Sequence, residues 1–246
     1  MRGKASQLYA SVLLNSIYAM RNYPVMLVNT LLAPLSILVI ITLVSHGTLI
    51  SVGVMGALIN TMMSSGVTLQ ADMSHLKNDF KFQDMIVSSQ TSSLVYISGM
   101  ALSELVYAVP ALVTVLVLAA FFVKIGVAGA MLSVASLALV FAFSISLGFM
   151  LSTFTADILQ SWAFSGIIST LFSTIAPVYY PITYIPLPWR YLAYISPTTY
   201  AAEVVQSAIG YVRLTPAELA TNLLVLVSIS LALIAIAAKK NRWREP

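Results

Sequence analysis

Long apolar runs alternate with short polar breaks along almost the whole chain. Six runs, at about 24–44, 49–69, 94–118, 127–151, 158–176 and 217–238, each approach the roughly 20 residues a helix needs to cross a bilayer. Residues 5–21 show another pattern. Leu8, Val12, Leu13, Ile17 and Met20 share one helical face while Gln7, Asn15 and Arg21 lie elsewhere, which predicts a helix lying in the membrane interface. Pro24 suits the first turn of the first span. His46 and Gly47, Lys124 and Gly126, and the stretch around Asp157 mark short turns. Neither an internal repeat nor a domain boundary shows in the pattern. The expected fold is all-α, a single transmembrane domain over 1–246 with six transmembrane helices.

Composition agrees. Hydrophobic residues make up 59% and charged residues 8%, and the mean hydropathy is +0.94, whereas soluble domains are about a quarter charged. Lipid is therefore the expected solvent. With no cysteine, disulfides, thiolate metal sites and cysteine nucleophiles are excluded. His46 and His75 are too far apart in sequence to suggest a metal site. The N-terminus has no signal-peptide pattern, and the net charge of +4 is not a nucleic-acid footprint. It reflects orientation instead. Arg2, Lys4, Arg21, Lys77, Lys81, Lys239, Lys240, Arg242 and Arg244 fall on the face that holds both termini; Lys124, Arg190 and Arg213 fall on the other. The positive-inside rule then makes both termini cytoplasmic in a multi-pass protein of the cell membrane, with 177–216 outside.

The stretch ADMSHLKNDFKFQD, residues 71–84, interrupts this oily pattern with Asp72, Lys77, Asp79, Lys81 and Asp84, and with His75. Met73, Leu76 and Phe80 would form an apolar stripe on a short amphipathic helix, followed by Phe82. Two readings fit: a solvated loop that prevents mis-insertion, or a docking element whose charges orient a partner while Phe80 or Phe82 fills its pocket. The only Gly-Lys pair, Gly3-Lys4, is followed by Ala5, so there is no phosphate-binding loop. The expectation is a non-enzymatic chain, with any ATP-driven motor on another subunit.

Residues 177–210 read PVYYPITYIPLPWRYLAYISPTTYAAEVVQSAIG. The prolines forbid one continuous helix. Pro188 and Pro197 predict the first turns of two short helices, with Ser196 as N-cap of the second. Tyr179, Tyr180, Tyr184, Trp189, Tyr191, Tyr194 and Tyr200 predict an interfacial aromatic belt around a re-entrant helix pair. Here the chain resembles the ABC-2 family of ABC-transporter permeases. The likeness rests on Arg21-Asn22-Tyr23-Pro24 before the first span and the 71–92 stretch before the Gly99-containing third span. It rests also on Tyr180-Pro181 with Leu187-Pro188, and on Ser196-Pro197-Thr198-Thr199-Tyr200 followed by Glu203 and Gly210.

The resemblance implies a half-transporter that pairs with a second permease chain, identical or different, and docks an ATP-binding-cassette ATPase through a coupling helix between spans two and three. That maps onto Asp72, Met73, His75, Leu76, Lys77, Asp79, Phe80, Lys81, Phe82 and Asp84. ATP and Mg would be held by the ATPase and no cofactor or metal by this chain. The resemblance also places spans two and five along the path, where Asn60, Ser64 and Thr68, and Ser161, Ser165, Ser169 and Ser173, recur every four residues. Close helix packing is the plainer explanation for such small hydroxyl residues. Tyr179, Tyr180, Pro181, Pro197, Tyr200 and Glu203 are the expected outer gate. Glu104 is the one acid well inside a span, read either as a satisfied structural group or as a proton site. The expected function is ATP-driven export of a small amphiphile such as a drug or lipid. A proton-coupled secondary transporter using Glu104 and a non-transporting membrane scaffold are the competing expectations.

Overall fold

A computed structural model describes residues 3–78, 93–155 and 157–239. Among these every long element is a helix and no strand occurs. The helices are α1 (Lys4–Val12), α2 (Tyr18–Asn22), α3 (Pro24–Val44), α4 (Ile50–Asn78), α5 (Ser93–Phe122), α6 (Val127–Ser152), α7 (Ile158–Thr170), α8 (Arg190–Ala193), α9 (Pro197–Ala208) and α10 (Pro216–Lys239). Among the described residues, four stretches are long and apolar enough to cross a membrane: Ile50–Ser74, Val95–Phe122, Val127–Ser152 and Pro216–Ala237. At the other two predicted spans lie α3, of 21 residues, and α7 continued by a π-helical turn, Leu171–Ile175.

α4 is the axis of the bundle. It packs against α3, α5, α6, α7 and α9. Its most apolar window is 83% buried, against 17% for those of α5 and α10, which leaves their outer faces for lipid. Val54, Leu58, Ile59 and Met63 of α4 meet Val140 and Phe143 of α6, with Val205 of α9 and Leu226 of α10 closing the core. The α4–α6 crossing is tight because both helices carry glycine there. A Cβ at Gly66 would overlap the Ser144 side chain, and one at Gly148 would overlap the Gly66 carbonyl. Ser144 Oγ donates to the Met62 carbonyl at 3.0 Å, so a polar bond joins the crossing. Small residues allow such backbone approach where lipid supplies no hydrophobic drive between helices.

Three local features depart from the sequence pattern. α4 runs to Asn78, nine residues beyond the predicted end of span two at 69. The first charge ends the apolar run, yet no Pro or Gly follows it to stop the helix. In the N-terminal rod, the π-helical segment Leu13–Ile17 separates α1 from α2. Its wider turn shifts the helical phase, so Ser16 rather than Ile17 is buried, and Ser16 Oγ donates to the Ser103 carbonyl of α5 at 2.6 Å. Finally, α10 opens with a reciprocal cap: Thr215 N and Oγ1 both donate to Glu218 Oε2 at 2.8 Å, and Glu218 N donates to Thr215 Oγ1 at 3.3 Å.

Candidate functional site

The polar face of α4 carries more than the predicted Asn60, Ser64 and Thr68. Thr61 and Ser65 belong to it and are buried. In lipid a lone hydroxyl must find an acceptor, and each finds one on its own helix. Thr61 donates to the Ala57 carbonyl at 2.8 Å, Ser65 to Thr61 at 2.8 Å and Thr68 to Ser64 at 2.9 Å. Ser64 Oγ donates to Asn60 Oδ1 at 3.5 Å. Each hydroxyl has one proton and two lone pairs, so these residues present acceptors on their remaining side.

That side is a cavity of about 110 Å³ between α3, α4 and α5. α4 lines it with Thr61, Ser64, Ser65 and Thr68; α3 contributes Thr30, Ala33 and Pro34; α5 contributes Glu104 and Tyr107. Glu104 is 4% exposed, and its carboxyl hydrogen-bonds that of Asp72, one helical turn beyond Thr68 on α4. Tyr107 hydrogen-bonds Thr30 across the cavity. Glu104 is therefore joined to a second acid, a partnership the sequence does not reveal because 32 positions separate the two. The i+4 step from Thr68 to Asp72, which keeps Asp72 on the polar face of α4, is the sequence signal that points to it, and the α4–α5 packing supplies the rest.

The serine stripe runs along α7 into the π-helical turn that follows it, and α7 packs against α4. Ser161, Ser165 and Ser173 are buried and Ser169 is half-buried. Ser165 Oγ donates to the Val67 carbonyl of α4 at 3.3 Å, while Ser161 and Ser173 donate to the carbonyls of Asp157 and Thr170. This is the close-packing arrangement that small hydroxyl residues permit.

The outer segment is a polar scaffold around α9. Glu203, 6% exposed, accepts from Tyr194 Oη at 2.9 Å and from Asn222 Nδ2 of α10 at 2.7 Å. Tyr200 Oη donates to the Tyr194 carbonyl at 2.9 Å, and Thr198 Oγ1 donates to Phe172 at 2.7 Å. Gln206 Nε2 donates to the carbonyls of Pro177 and Tyr180, at 3.0 and 3.2 Å. Tyr179 is buried beside Asn60, and Pro181 and Pro197 are buried as well. Pro197 opens α9 as predicted, but Ser196 makes no side-chain cap; its hydroxyl pairs with that of Thr198 at 2.6 Å. Asn222 and Gln206, absent from the sequence-based set, are thus central to this region.

The charged stretch divides at Asn78. Met73 is buried against Tyr96, Met100 and Phe149, and Leu76 packs on the same cluster. Asp72 is turned to Glu104, and His75 and Lys77 lie on the last turns of α4. Asp79, Phe80, Lys81, Phe82 and Asp84 fall outside the described residues. Among the described residues no group of three or more metal-binding side chains occurs.

The family described as ABC-2 type transporter matches residues 6–209. No curated protein gives a significant match to the chain. The family match spans most of the sequence, from the N-terminal rod through α9, so the chain belongs to the ABC-2 type transporter family, the non-catalytic membrane subunits of ATP-binding-cassette transporters.

Proposed function

We propose that this chain is the permease subunit of an exporter that moves a small amphiphile, drug-like or lipid-like, with energy from a separate ATPase subunit. The family match over residues 6–209 carries the reading. In it, a second permease chain completes the transporter in the cell membrane, and ATP and Mg bind the ATPase. Residues 72–84 form the coupling element. Its inner half, Asp72 to Asn78, continues α4 without a break. A rigid rod from Asn78 to Thr61 is about 25 Å long at the helical rise. Closure of the ATPases would push on that rod and shift the hydroxyls of α4 relative to α3 and α5. For the push to transmit energy, the coupling element must bind the open and closed ATPase states unequally. Asn60, Ser64 and Thr68, together with Ser161, Ser165, Ser169 and Ser173, line the proposed path, and the scaffold around Tyr179, Tyr180, Pro181, Pro197, Tyr200 and Glu203 forms its outer gate.

The test is purification from native membranes with whatever accompanies the chain, followed by reconstitution in liposomes. The expected result is a stoichiometric ATPase and amphiphile efflux that needs ATP. Lys77→Glu, Asp79→Lys and Phe80→Ala should uncouple hydrolysis from efflux. Purification without an ATPase, together with flux that ignores ATP, would remove the proposal.

A further inference from the structure

We infer that the cavity between α3, α4 and α5 is a headgroup site that takes the ammonium group of an alkylamine-type amphiphile, with the hydrogen-bonded carboxyl pair of Glu104 and Asp72 as its counter-charge. This rests on the export reading above and names the substrate class for it. Two observations select the chemistry. First, Thr61, Ser65 and Thr68 have each donated their proton to their own helix. Each hydroxyl keeps its lone pairs, and all three residues line the cavity, so it offers acceptors to a ligand rich in N–H donors. Second, Glu104 is an almost fully buried acid on the wall whose carboxyl shares a hydrogen bond, and so a proton, with Asp72, so that the pair can carry one negative charge, and none of the lining residues is a cation. An ammonium group donates three hydrogen bonds and carries the complementary charge, and such charge-assisted bonds are the strong ones. An anionic headgroup would meet a carboxyl and no lining cation.

Size selects the part of the ligand that enters. An apolar cavity of about 150 Å³ holds a benzene ring. The present one, about 110 Å³, takes an ammonium and its first carbons and leaves the tail outside. The lining grades accordingly from buried Thr61, Ser65 and Glu104 to half-exposed Thr30, Ser64, Thr68 and Tyr107 and exposed Ala33. The tail would leave past Ala33 of α3, along a helix whose outer face is apolar and exposed at Val28, Leu32, Val39 and Ile40.

The test measures saturable binding of radiolabelled dodecylamine to the purified full chain in lipid nanodiscs, after subtraction of empty nanodiscs, with dodecanol as the uncharged competitor of equal length. Wild type should bind the amine saturably and dodecanol should not compete. The double variant Glu104→Gln/Asp72→Asn, which removes the charge of the pair, should weaken binding about tenfold or more. Ala33→Phe, which blocks the mouth without touching charge, should weaken it too. Equal competition by dodecanol, or wild-type affinity in both variants, overturns the inference. If the double variant does not fold, Ala33→Phe and the dodecanol competition decide alone. The export reading fails separately: amine binding without ATP-driven flux removes that reading and leaves the site, whereas ATP-driven flux of other amphiphiles without amine binding removes the site and leaves the reading.

Discussion

Glu203 is a buried carboxylate whose two oxygens are each held by one neutral donor, Tyr194 Oη and Asn222 Nδ2. A buried acid is tolerated only while such donors remain, because losing one leaves a desolvated acceptor. Asn222→Leu is therefore expected to cost about 1–3 kcal/mol of stability, read by thermal unfolding in detergent. Tyr194→Phe should cost less, since Tyr194 is half-buried and water can replace its hydroxyl. A double-mutant cycle between Glu203 and Asn222 should show coupling; strict additivity would mean that the 2.7 Å bond does not brace α9 to α10. Glu203 is visible in the sequence as an acid near the outer interface. Its role is not, because Asn222 lies 19 residues away on another helix and reads alone as one polar residue in an apolar run.

Helix α4 joins the charged stretch to the centre of the bundle, and its two ends answer to different physics. Met73 belongs to the core cluster with Tyr96, Met100 and Phe149. Met73→Ala should therefore lower the stability of the chain by about 2–5 kcal/mol, as core truncations do, before it changes coupling. Lys77→Glu should leave the unfolding midpoint nearly unchanged and act only where the ATPase is present. Equal effects of both on stability would argue against dividing the stretch in this way. The α4–α6 crossing is the second element-level test. Gly66→Val or Gly148→Val must push the two backbones apart, because each new methyl meets backbone or the Ser144 side chain. Loss of the monodisperse folded protein is expected from either, whereas Gly126→Val, at a site with no neighbour within 4 Å, should be tolerated.

At the scale of the whole molecule, topology has the widest consequence. The absence of cysteine makes every single-cysteine variant uniquely labelled. If the chain makes six crossings with its positive face cytoplasmic, Lys4→Cys and Lys239→Cys should react with a membrane-impermeant maleimide only after the cells are permeabilised. Lys124→Cys and Arg213→Cys should react in intact cells. Reaction of Lys4→Cys from outside would overturn the orientation. Matching sidedness at both termini with the opposite at 124 would show that α3 and the α7 helix cross the membrane along with the four longer apolar helices.

Much of this protein was legible in one dimension. Lipid as solvent, helices at six positions, the broken outer segment and the family all follow from signals that are local or periodic: apolar run length, proline placement, charge asymmetry and short motifs. These depend on near neighbours along the chain, so they survive without coordinates. What lay beyond them was pairing at long range. The sequence shows the Ser64–Thr68 stripe and Glu104 as separate polar marks; packing of α3, α4 and α5 makes them walls of one cavity. It shows Asp72 as part of a charged loop; an unbroken α4 carries it inward to Glu104. Periodicity sets which face of a helix is polar, but the neighbour that face meets is chosen by packing complementarity among helices, and a buried carboxyl acquires its chemistry from that neighbour.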